Sequence, residues 1–318
     1  MTMAEAELSE TAGRYRHEAV FYSGVDEFAA LTTEFIERAA SRGDPVLAVL
    51  SRPKIDLLQE RLGAGAASVE FADMAAIGAN PARIIATWRD FVAAHAGAAQ
   101  LWGVGEPAYP GRSPAELAEC QLHEALLNLA FDASTPFWLL CPYDIEALAA
   151  DVIRNAQRTH PFITWDGERQ ACHSFREIDV GGPFDRPVPA RPAATASRSF
   201  EFADLPQVRA FVADQAAQAG LAEEPAEAMV LSANEIVTNS IRHGGGSGEL
   251  HIWADGNSLV CEVTDAGHIT SPLVGRLRPD PEALGGGGLW LANQLCDLVE
   301  IYSSASGTVV RVRMYLQS

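Results

Sequence analysis

Short apolar runs alternate with longer amphipathic stretches over the first half of the chain. Runs of five or six apolar residues predict buried strands, and the stretches between them repeat their apolar positions at helical spacing. The candidate strands are His17–Tyr22, Pro45–Leu50, Ser68–Phe71, Gln100–Val104 and Phe137–Cys141, and the candidate helices are Asp26–Ala40, Lys54–Leu62, Pro81–His95, Pro114–Phe131 and Ile145–Arg158. Because a helix follows each strand, the pattern predicts an α/β domain with a mostly parallel sheet covered on both faces.

A proline-rich segment separates this pattern from a second one. Residues 181–197 read GGPFDRPVPARPAATAS, in which four prolines within ten residues oppose both a helix and a central strand. We therefore predict a semi-extended linker over residues 181–197. It would join a first domain at residues 15–180 to a second domain at residues 198–318.

The second half combines helical stretches with hairpin chemistry. Two β-like runs, Glu249–Ala254 and Leu259–Thr264, flank the turn sequence DGNS, which is typical of a hairpin. The other candidates are strands at Arg198–Phe202, Leu298–Ser303 and Thr308–Tyr315, and helices at Pro206–Gly220, Pro225–His243 and Leu289–Leu298. This mixture predicts an α+β domain.

Composition narrows the class of protein. The 318 residues carry a formal net charge of −19 with no basic stripe, so we expect no direct DNA binding. The apolar runs are too short to span a bilayer, and the first ten residues lack the apolar core of a secretion signal. The five scattered cysteines indicate reduced, buried thiols. We therefore expect a cytoplasmic protein with no membrane contact and no metal site in its first domain.

Two features of the second half allow more than one interpretation when taken alone. Glu235, Asn239 and Arg242 share the polar face of a predicted helix, where polar residues usually meet only solvent. The run Gly285–Gly288 opens the next helix, so its backbone N–H groups could meet a phosphate, or the glycines could form a flexible loop. Lys54, the only lysine, is not in a GK[ST] sequence, which excludes a P-loop.

The order of four motifs decides between these interpretations. Glu235-x-x-x-Asn239 is followed by Asp265-x-Gly267 after a strand, by the glycine run, and by Gly307-Thr308. Over residues 198–316 this order resembles the ATP-binding fold of the GHKL superfamily. The sequences EIVTNSIRHG and GLWLANQLCD are similar to the RsbW-type anti-sigma factor serine kinases. The resemblance implies a Bergerat-type sandwich of helices on a mixed sheet that binds ATP with Mg²⁺.

The same resemblance implies a role for each matching residue. Asn239 would hold Mg²⁺, and Glu235 would act as the general base. Asp265 would accept a hydrogen bond from the adenine amino group, with Gly267 allowing its close approach. The other implied ATP-binding residues are Arg242, His243, Gly286, Gly288, Leu289 and Thr308.

One position departs from the family pattern. The glycine motif of the family commonly contains an arginine where this chain has Gly287. The change removes a cation that would lie beside the phosphates. Arg276 or Arg278 is the candidate to replace it.

Stretches of the first half resemble a second family. These are HEAVFY at 17–22, GEPAYPGR at 105–112, HEALLN at 123–128, CPYD at 141–144 and RTHP at 158–161. Over residues 15–165 they are similar to the MEDS sensory domain of DcmR-type regulators. Such domains occur fused to anti-sigma ATPase domains.

Polar residues on and before the helix that starts near Pro114 form a candidate sensory pocket. They are Glu106, Arg112, His123, Glu124 and Asn128. They could bind a small molecule at the carboxyl ends of the strands, or they could form structural hydrogen bonds that lock the helix to the sheet. His17 and His95 are interpreted as structural residues.

Together the resemblances imply an anti-sigma regulator. Its second domain would sequester a sigma factor and phosphorylate a serine or threonine of a STAS-domain antagonist, under control of the sensory domain, and we expect a homodimer. One alternative is a non-catalytic ATP-binding or scaffold regulator. The other is a histidine kinase with His123 as phosphoacceptor, which the proline-rich segment disfavours because a dimerising helical hairpin would have to occupy that place.

Overall fold

The computed structural model describes residues 13–180, 182–193, 195–280 and 286–316. The chain divides into two compact units between Ile178 and Asp179. Among the described helices, none combines the length and the apolar character that a membrane span requires.

The first unit is built on a seven-stranded sheet. Its strands are β1 (Arg16–Tyr22), β2 (Val46–Leu50), β3 (Val69–Asp73), β4 (Leu101–Gly105), β5 (Phe137–Asp144), β6 (Phe162–Trp165) and β7 (Glu168–Ala171). Their order is β3-β2-β4-β5-β1-β6-β7, in which β7 alone among the described strands runs antiparallel to its neighbour. The prediction of an α/β domain with a mostly parallel sheet is confirmed.

Helices cover both faces of this sheet. They are α1 (Gly24–Ala40), α2 (Arg52–Leu62), α3 (Met74–Ile77), α4 (Ile84–Ala94), α5 (Pro114–Ala130) and α6 (Ala150–Thr159), with short 3₁₀ turns at Gly63–Ser68 and Pro81–Arg83. The connections from β1 to β3 run one way along the sheet and the later ones run back. Because such crossovers are right-handed, α1 and α2 lie on one face and α4, α5 and α6 on the other. The packing agrees, since α1 contacts α2 and α5 contacts α4 and α6.

Three details of the first unit differ from the sequence prediction. The hairpin of β6 and β7 was not predicted, because strands of four residues carry too little periodicity. The last helix begins at Ala150 rather than Ile145, since the Asp144 carboxylate accepts hydrogen bonds from the N–H groups of Glu146 and Ala147 and holds a turn there. The helix predicted from Pro81 starts as a 3₁₀ turn.

The second unit is a five-stranded sheet with helices on one face. The strands are β8 (Ala196–Glu201), β9 (Ser247–Asp255), β10 (Ser258–Asp265), β11 (Leu298–Ser304) and β12 (Gly307–Tyr315), in the order β11-β12-β10-β9-β8. The helices are α7 (Leu205–Gln218), α8 (Glu223–His243) and α9 (Gly288–Leu295). Every pairing among these strands is antiparallel, so the sheet is not mixed as the resemblance implied.

Helix α8 lies at the centre of the helical layer. Its apolar side chains, including Met229, Ala233 and Ile236, are buried. The polar face of the same helix, with Glu235 and Asn239, is only half-buried. The burial of one face therefore holds the other at the surface of the domain.

The proline-rich segment packs on the other face of this sheet. Phe184 is fully buried, and its carbonyl accepts a hydrogen bond from the Ser303 N–H at 3.0 Å. The Pro189 carbonyl accepts from Arg311 Nη2, and Arg191 pairs with Glu262 at 3.3 Å. Residues 182–193 thus belong to the packed second unit, although composition alone predicts a linker.

Candidate functional site

A cavity of about 660 Å³ opens in the second unit between the last turn of α8, the end of β10 and the start of α9. Its size is in the range of small-molecule sites. The predicted residues that line it are Asn239, Arg242, His243, Asp265, Gly267, Gly286, Leu289 and Thr308. The structure therefore brings residues from all four motifs to one place.

The remaining two predicted residues lie beside this cavity. A Cβ on Gly288 would be 3.0 Å from Asn239 Nδ2 and 3.0 Å from Glu235 Oε2. The first residue of α9 is therefore in close contact with the polar face of α8. Only a glycine at this position permits that approach without a shift of the neighbouring side chains.

Asp265 is held in place at the end of β10. Its Oδ1 accepts a hydrogen bond from the Gly267 N–H at 2.7 Å, and its Oδ2 accepts one from Ser240 Oγ at 2.6 Å. Each carboxylate oxygen can accept more than one hydrogen bond. The carboxylate is thus fixed in orientation and still able to accept from an N–H group of a ligand.

Glycines pack tightly around this carboxylate. A Cβ on Gly267 would lie 2.8 Å from Asp265 Oδ1, and a Cβ on Gly244 would overlap the same carboxylate. Gly307 has φ +133° and lies against the Asp265 carbonyl, a conformation that other residues rarely adopt. Gly244 ends helix α8, and its contact with Asp265 gives a second reason for a glycine there.

Thr308 forms the floor of the cavity near Asp265. Its hydroxyl donates to the Gly267 carbonyl at 2.9 Å and lies 2.7 Å from Ser303 Oγ. His268 Nδ1 is 3.3 Å from the same Ser303 oxygen. This hydroxyl chain fixes the turn that follows β10, so Thr308 orients the site as well as lining it.

The opposite end of the cavity fits a phosphate and its metal ion. Gly286 has φ +86° and open space around it, and Gly288 begins α9, so backbone N–H groups of a helix start are accessible there. Asn239 lines the same cavity, and amide oxygens are suitable ligands for Mg²⁺. The residues present therefore fit a nucleotide with bound Mg²⁺.

The two arginines considered as replacements for the cation missing at Gly287 have other surroundings. Arg276 is buried, at 2% exposure. The Arg278 guanidinium lies over the Trp290 ring, 5.8 Å from its centroid. Neither is among the described residues that line the cavity.

In the first unit, the five residues of the predicted sensory pocket fall into different groups of contacts. Glu106 lies after β4, where both carboxylate oxygens accept hydrogen bonds from Lys54 Nζ, at 2.5 and 2.6 Å, and Oε1 accepts another from Tyr22 OH at 2.7 Å. Burial raises the pKa of Glu106 and outweighs the lowering by the Lys54 ammonium. These three side chains join the carboxyl ends of β1, β2 and β4.

Arg112 has a structural role. Its guanidinium is buried and donates to the backbone carbonyls of Pro107, Ala79 and Gly78. These bonds lock the loop before α5 to the one after α3. For this residue the structural interpretation is favoured over a pocket.

Glu124 and Asn128 belong to a buried cluster below α5. Glu124 Oε2 is 2.9 Å from His17 Nε2, and Asn128 Oδ1 is 3.1 Å from His17 Nδ1. Tyr143 donates to Glu124 Oε1 at 3.2 Å, and both residues also line a cavity of about 370 Å³. Burial, followed by the neighbouring His160, lowers the pKa of His17.

His123, in the same helix, is also buried. The cluster around Glu124 also includes Cys141 and His160, which the sequence did not single out as functional. The only signal for them is that they fall in the CPYD and RTHP stretches.

In comparisons with known proteins, a different family matches each of the two units. The family model described as "MEDS: MEthanogen/methylotroph, DcmR Sensory domain" matches residues 16–161, and that of the histidine kinase-like ATPase domain matches residues 199–314. The chain joins a MEDS domain to a histidine kinase-like ATPase domain. Both resemblances are thereby confirmed, and the ATPase family implies nucleotide binding, usually with Mg²⁺.

Two solved structures are similar to part of this chain. One is the crystal structure of the RsbU and RsbW domains of a Mycobacterium tuberculosis protein, with 17% identity, a TM-score of 0.30 and coverage of 65% of this chain. This chain spans about half of that structure, 49% of its length. The other is the Acinetobacter baumannii histidine kinase AdeS, with 12% identity, a TM-score of 0.24 and coverage of 39% of this chain and 68% of that one. No curated protein matches the chain in sequence.

Proposed function

We propose that the chain is an anti-sigma regulator whose ATPase domain binds ATP with Mg²⁺, sequesters a sigma factor and phosphorylates a serine or threonine of a STAS-domain antagonist. The MEDS domain would control these activities in response to a signal. The proposal of ATP binding rests on one observation. Residues from four sequence motifs meet around Asp265 in a single cavity. The partners are proposed from the resemblance to RsbW-type proteins.

Several residues in and beside the cavity have a role in this proposal. Asp265 would accept from the adenine amino group, because its two oxygens are already oriented by Ser240 and Gly267. Asn239 would hold Mg²⁺, and the N–H groups at Gly286 and Gly288 would contact phosphate oxygens. Bound ATP supplies the phosphoryl group, while Glu235 would orient the acceptor hydroxyl and take its proton. Arg242 and His243 are exposed at the rim.

ATP binding is the first test. Calorimetry with Mg²⁺ would compare the wild type with Asn239→Ala and with Asn234→Ala. Asn234 is a matched control, since it lies on the same helix but bonds to Arg209 of α7. We expect binding by the wild type and by the control, and a loss of at least about tenfold in Asn239→Ala. Absence of binding by a folded wild-type protein would overturn the nucleotide site.

Phosphoryl transfer needs a separate experiment. The chain would be incubated with radiolabelled ATP and candidate STAS-domain proteins, and label on serine or threonine would be measured. Glu235→Gln should keep ATP binding and lose transfer by about 10²–10⁴-fold, because it removes the proposed base but leaves the cavity. Equal transfer by Glu235→Gln and the wild type would contradict the proposed role.

A non-catalytic ATP-binding regulator is the second candidate function. It is favoured by Gly287 and by the absence of both Arg276 and Arg278 from the residues described as lining the cavity. A Gly287→Arg variant separates the two functions. It should speed phosphoryl transfer if the chain is a kinase with a weakened site, whereas transfer below detection in both proteins, with normal sigma-factor binding, would favour the non-catalytic regulator.

A histidine kinase is the least favoured reading. His123 is 1% exposed inside α5, where an imidazole is not accessible to a phosphate donor. Residues 182–193, the described part of the segment before the ATPase domain, contain no helix that could form a dimerising hairpin.

A further inference from the structure

Four potential metal ligands meet inside the MEDS domain. They are His17 of β1, Glu124 of α5, Cys141 of β5 and His160, which follows α6. One donor atom from each lies within 4.8 Å of the others, and all four residues are buried. The set is distinct from the cavity of the ATPase domain.

Hydrogen bonds fix which ring nitrogen of His17 faces this cluster. Asn128 Nδ2 donates to the Thr159 carbonyl at 2.8 Å, so Asn128 Oδ1 points to His17 Nδ1, at 3.1 Å. An amide oxygen only accepts, and Nδ1 must therefore carry the hydrogen. In the neutral ring, His17 Nε2 has a lone pair, and this atom is 2.9 Å from Glu124 Oε2.

His160 is oriented in the same way. Its Nδ1 lies 2.8 Å from the Ala156 carbonyl oxygen, which also only accepts. The lone pair of its Nε2 is then directed to the cluster. This buried nitrogen is 3.4 Å from Glu124 Oε2, yet it makes no hydrogen bond within the described part of the chain.

Two imidazole lone pairs, one carboxylate oxygen and one thiol thus face a common point. The two imidazole nitrogens and the carboxylate oxygen are acceptors, and at these distances they repel each other unless a proton or a metal ion lies between them. A proton shared between His17 and Glu124 would satisfy that pair but leave His160 Nε2 without a partner, which is costly in a buried position. A metal ion would satisfy all four groups together.

The spacing of the donors also suits a metal. Cys141 Sγ lies 3.5 Å from His17 Nε2 and 3.6 Å from Glu124 Oε2. Zinc bonds to nitrogen and sulfur place the ligands of a tetrahedral site about 3.3–3.7 Å apart. These distances already match such a site, and since all four donor atoms lie within 4.8 Å of one another, they would have to close only slightly around an ion.

Further residues form hydrogen bonds to the proposed ligands, as residues around protein metal sites usually do. Asn128 and the Ala156 carbonyl bind the outward nitrogens of the two histidines, and Tyr143 donates to the carboxylate oxygen that faces away from the cluster. Such bonds orient metal ligands and set their tautomers.

We propose that His17, Glu124, Cys141 and His160 bind a Zn²⁺ ion in a closed, four-coordinate site. Two imidazoles and a thiolate favour zinc over Mg²⁺ or Ca²⁺, which prefer oxygen ligands. A site with four protein ligands and no open position is structural. The ion would tie β1 and β5 to α5 and to the end of α6.

Metal titration of the full chain tests this proposal. After removal of metal with a chelator and without nucleotide, the protein would be titrated with Zn²⁺ and with Co²⁺. We expect one equivalent of Zn²⁺ per chain. The Co²⁺ form should show thiolate-to-cobalt charge transfer in the near ultraviolet and the intense visible bands of a tetrahedral site.

Matched variants locate the site. Cys141→Ser should lose the charge-transfer band, whereas Cys172→Ser, which alters a buried cysteine bonded to the Gln157 carbonyl, should keep it. His160→Gln should bind Zn²⁺ at least about tenfold more weakly, and His95→Gln should bind normally.

The result with wild-type protein decides the proposal even if a variant fails to fold. A folded wild type that binds no Zn²⁺, or a Co²⁺ form without thiolate charge transfer, would overturn it. Equal Zn²⁺ affinity in folded Cys141→Ser and Cys172→Ser would overturn it as well.

Discussion

The two domains arrange their polar side chains in opposite ways. In the ATPase domain, Asp265 and Asn239 border an open cavity, and their neighbours leave acceptor positions unused. In the MEDS domain, Glu124 and its partners are enclosed and face each other. An open arrangement suits a ligand that binds and dissociates, whereas an enclosed one suits a group that remains bound in the folded protein. Differences between the two can be measured by substitution.

The largest effect is expected from Glu124→Ala. Loss of this carboxylate leaves His17 Nε2 buried without its partner, which should destabilise the MEDS domain by about 3–5 kcal/mol. Urea unfolding measures the change, with the exposed Glu146→Ala as control. ATP affinity should stay normal in both variants. A loss below about 1 kcal/mol would mean that the enclosed cluster contributes little.

Asp265→Asn should have the next largest effect, on binding rather than on folding. The charged acceptor for the adenine amino group is replaced by a neutral amide, so ATP affinity should fall by about 10–100-fold. Calorimetry compares it with Asp255→Asn, whose carboxylate lies at the end of β9 and pairs with Arg313. Normal affinity in Asp265→Asn would show that this carboxylate does not contact the nucleotide.

A smaller effect is expected from Gly288→Ala. Its Cβ would lie 3.0 Å from both Asn239 Nδ2 and Glu235 Oε2, so α9 or these side chains must shift. We expect ATP affinity to fall by roughly tenfold, a cost near 1.4 kcal/mol. Gly287→Ala is the adjacent control, because its nearest contact would be 3.5 Å, to Pro279. If both variants bind ATP equally, close approach at Gly288 is not required.

The smallest effect is expected from Ser240→Ala. It removes one of the two hydrogen bonds that orient Asp265, which is worth about 1.5–3 kcal/mol when fully lost but less when the carboxylate keeps its bond to Gly267. ATP affinity should fall by less than about tenfold. A loss as large as that of Asp265→Asn would show that Ser240 contacts the ligand itself.

Much of the fold could be predicted from the sequence, because long apolar runs and helix caps are local signals. Helix α5 is an example: it begins at the predicted Pro114, after the capping box of Ser113 and Glu116. The antiparallel character of the second sheet was not predicted, since strand pairing depends on contacts between distant residues. For the same reason, composition did not show that residues 182–193 pack on that sheet.

The two candidate sites also differ in how far local sequence signals predict them. The residues of the ATP cavity come from four short motifs whose order in the chain is recognisable. The enclosed cluster combines His17, Glu124, Cys141 and His160, which are separated by up to 143 positions and share no spacing rule. Their association became visible only when the sheet placed β1 beside β5.

The single lysine gives the chain an internal chemical reporter. Apart from the α-amino group, Lys54 is the only primary amine, and its ammonium is engaged by Glu106 and Tyr22 at the ends of three strands. Acylating reagents react only with the free, unprotonated amine. The rate at which Lys54 is acylated therefore measures how often its amine leaves Glu106 and Tyr22, and it can be followed by mass spectrometry in the intact chain without introducing any label.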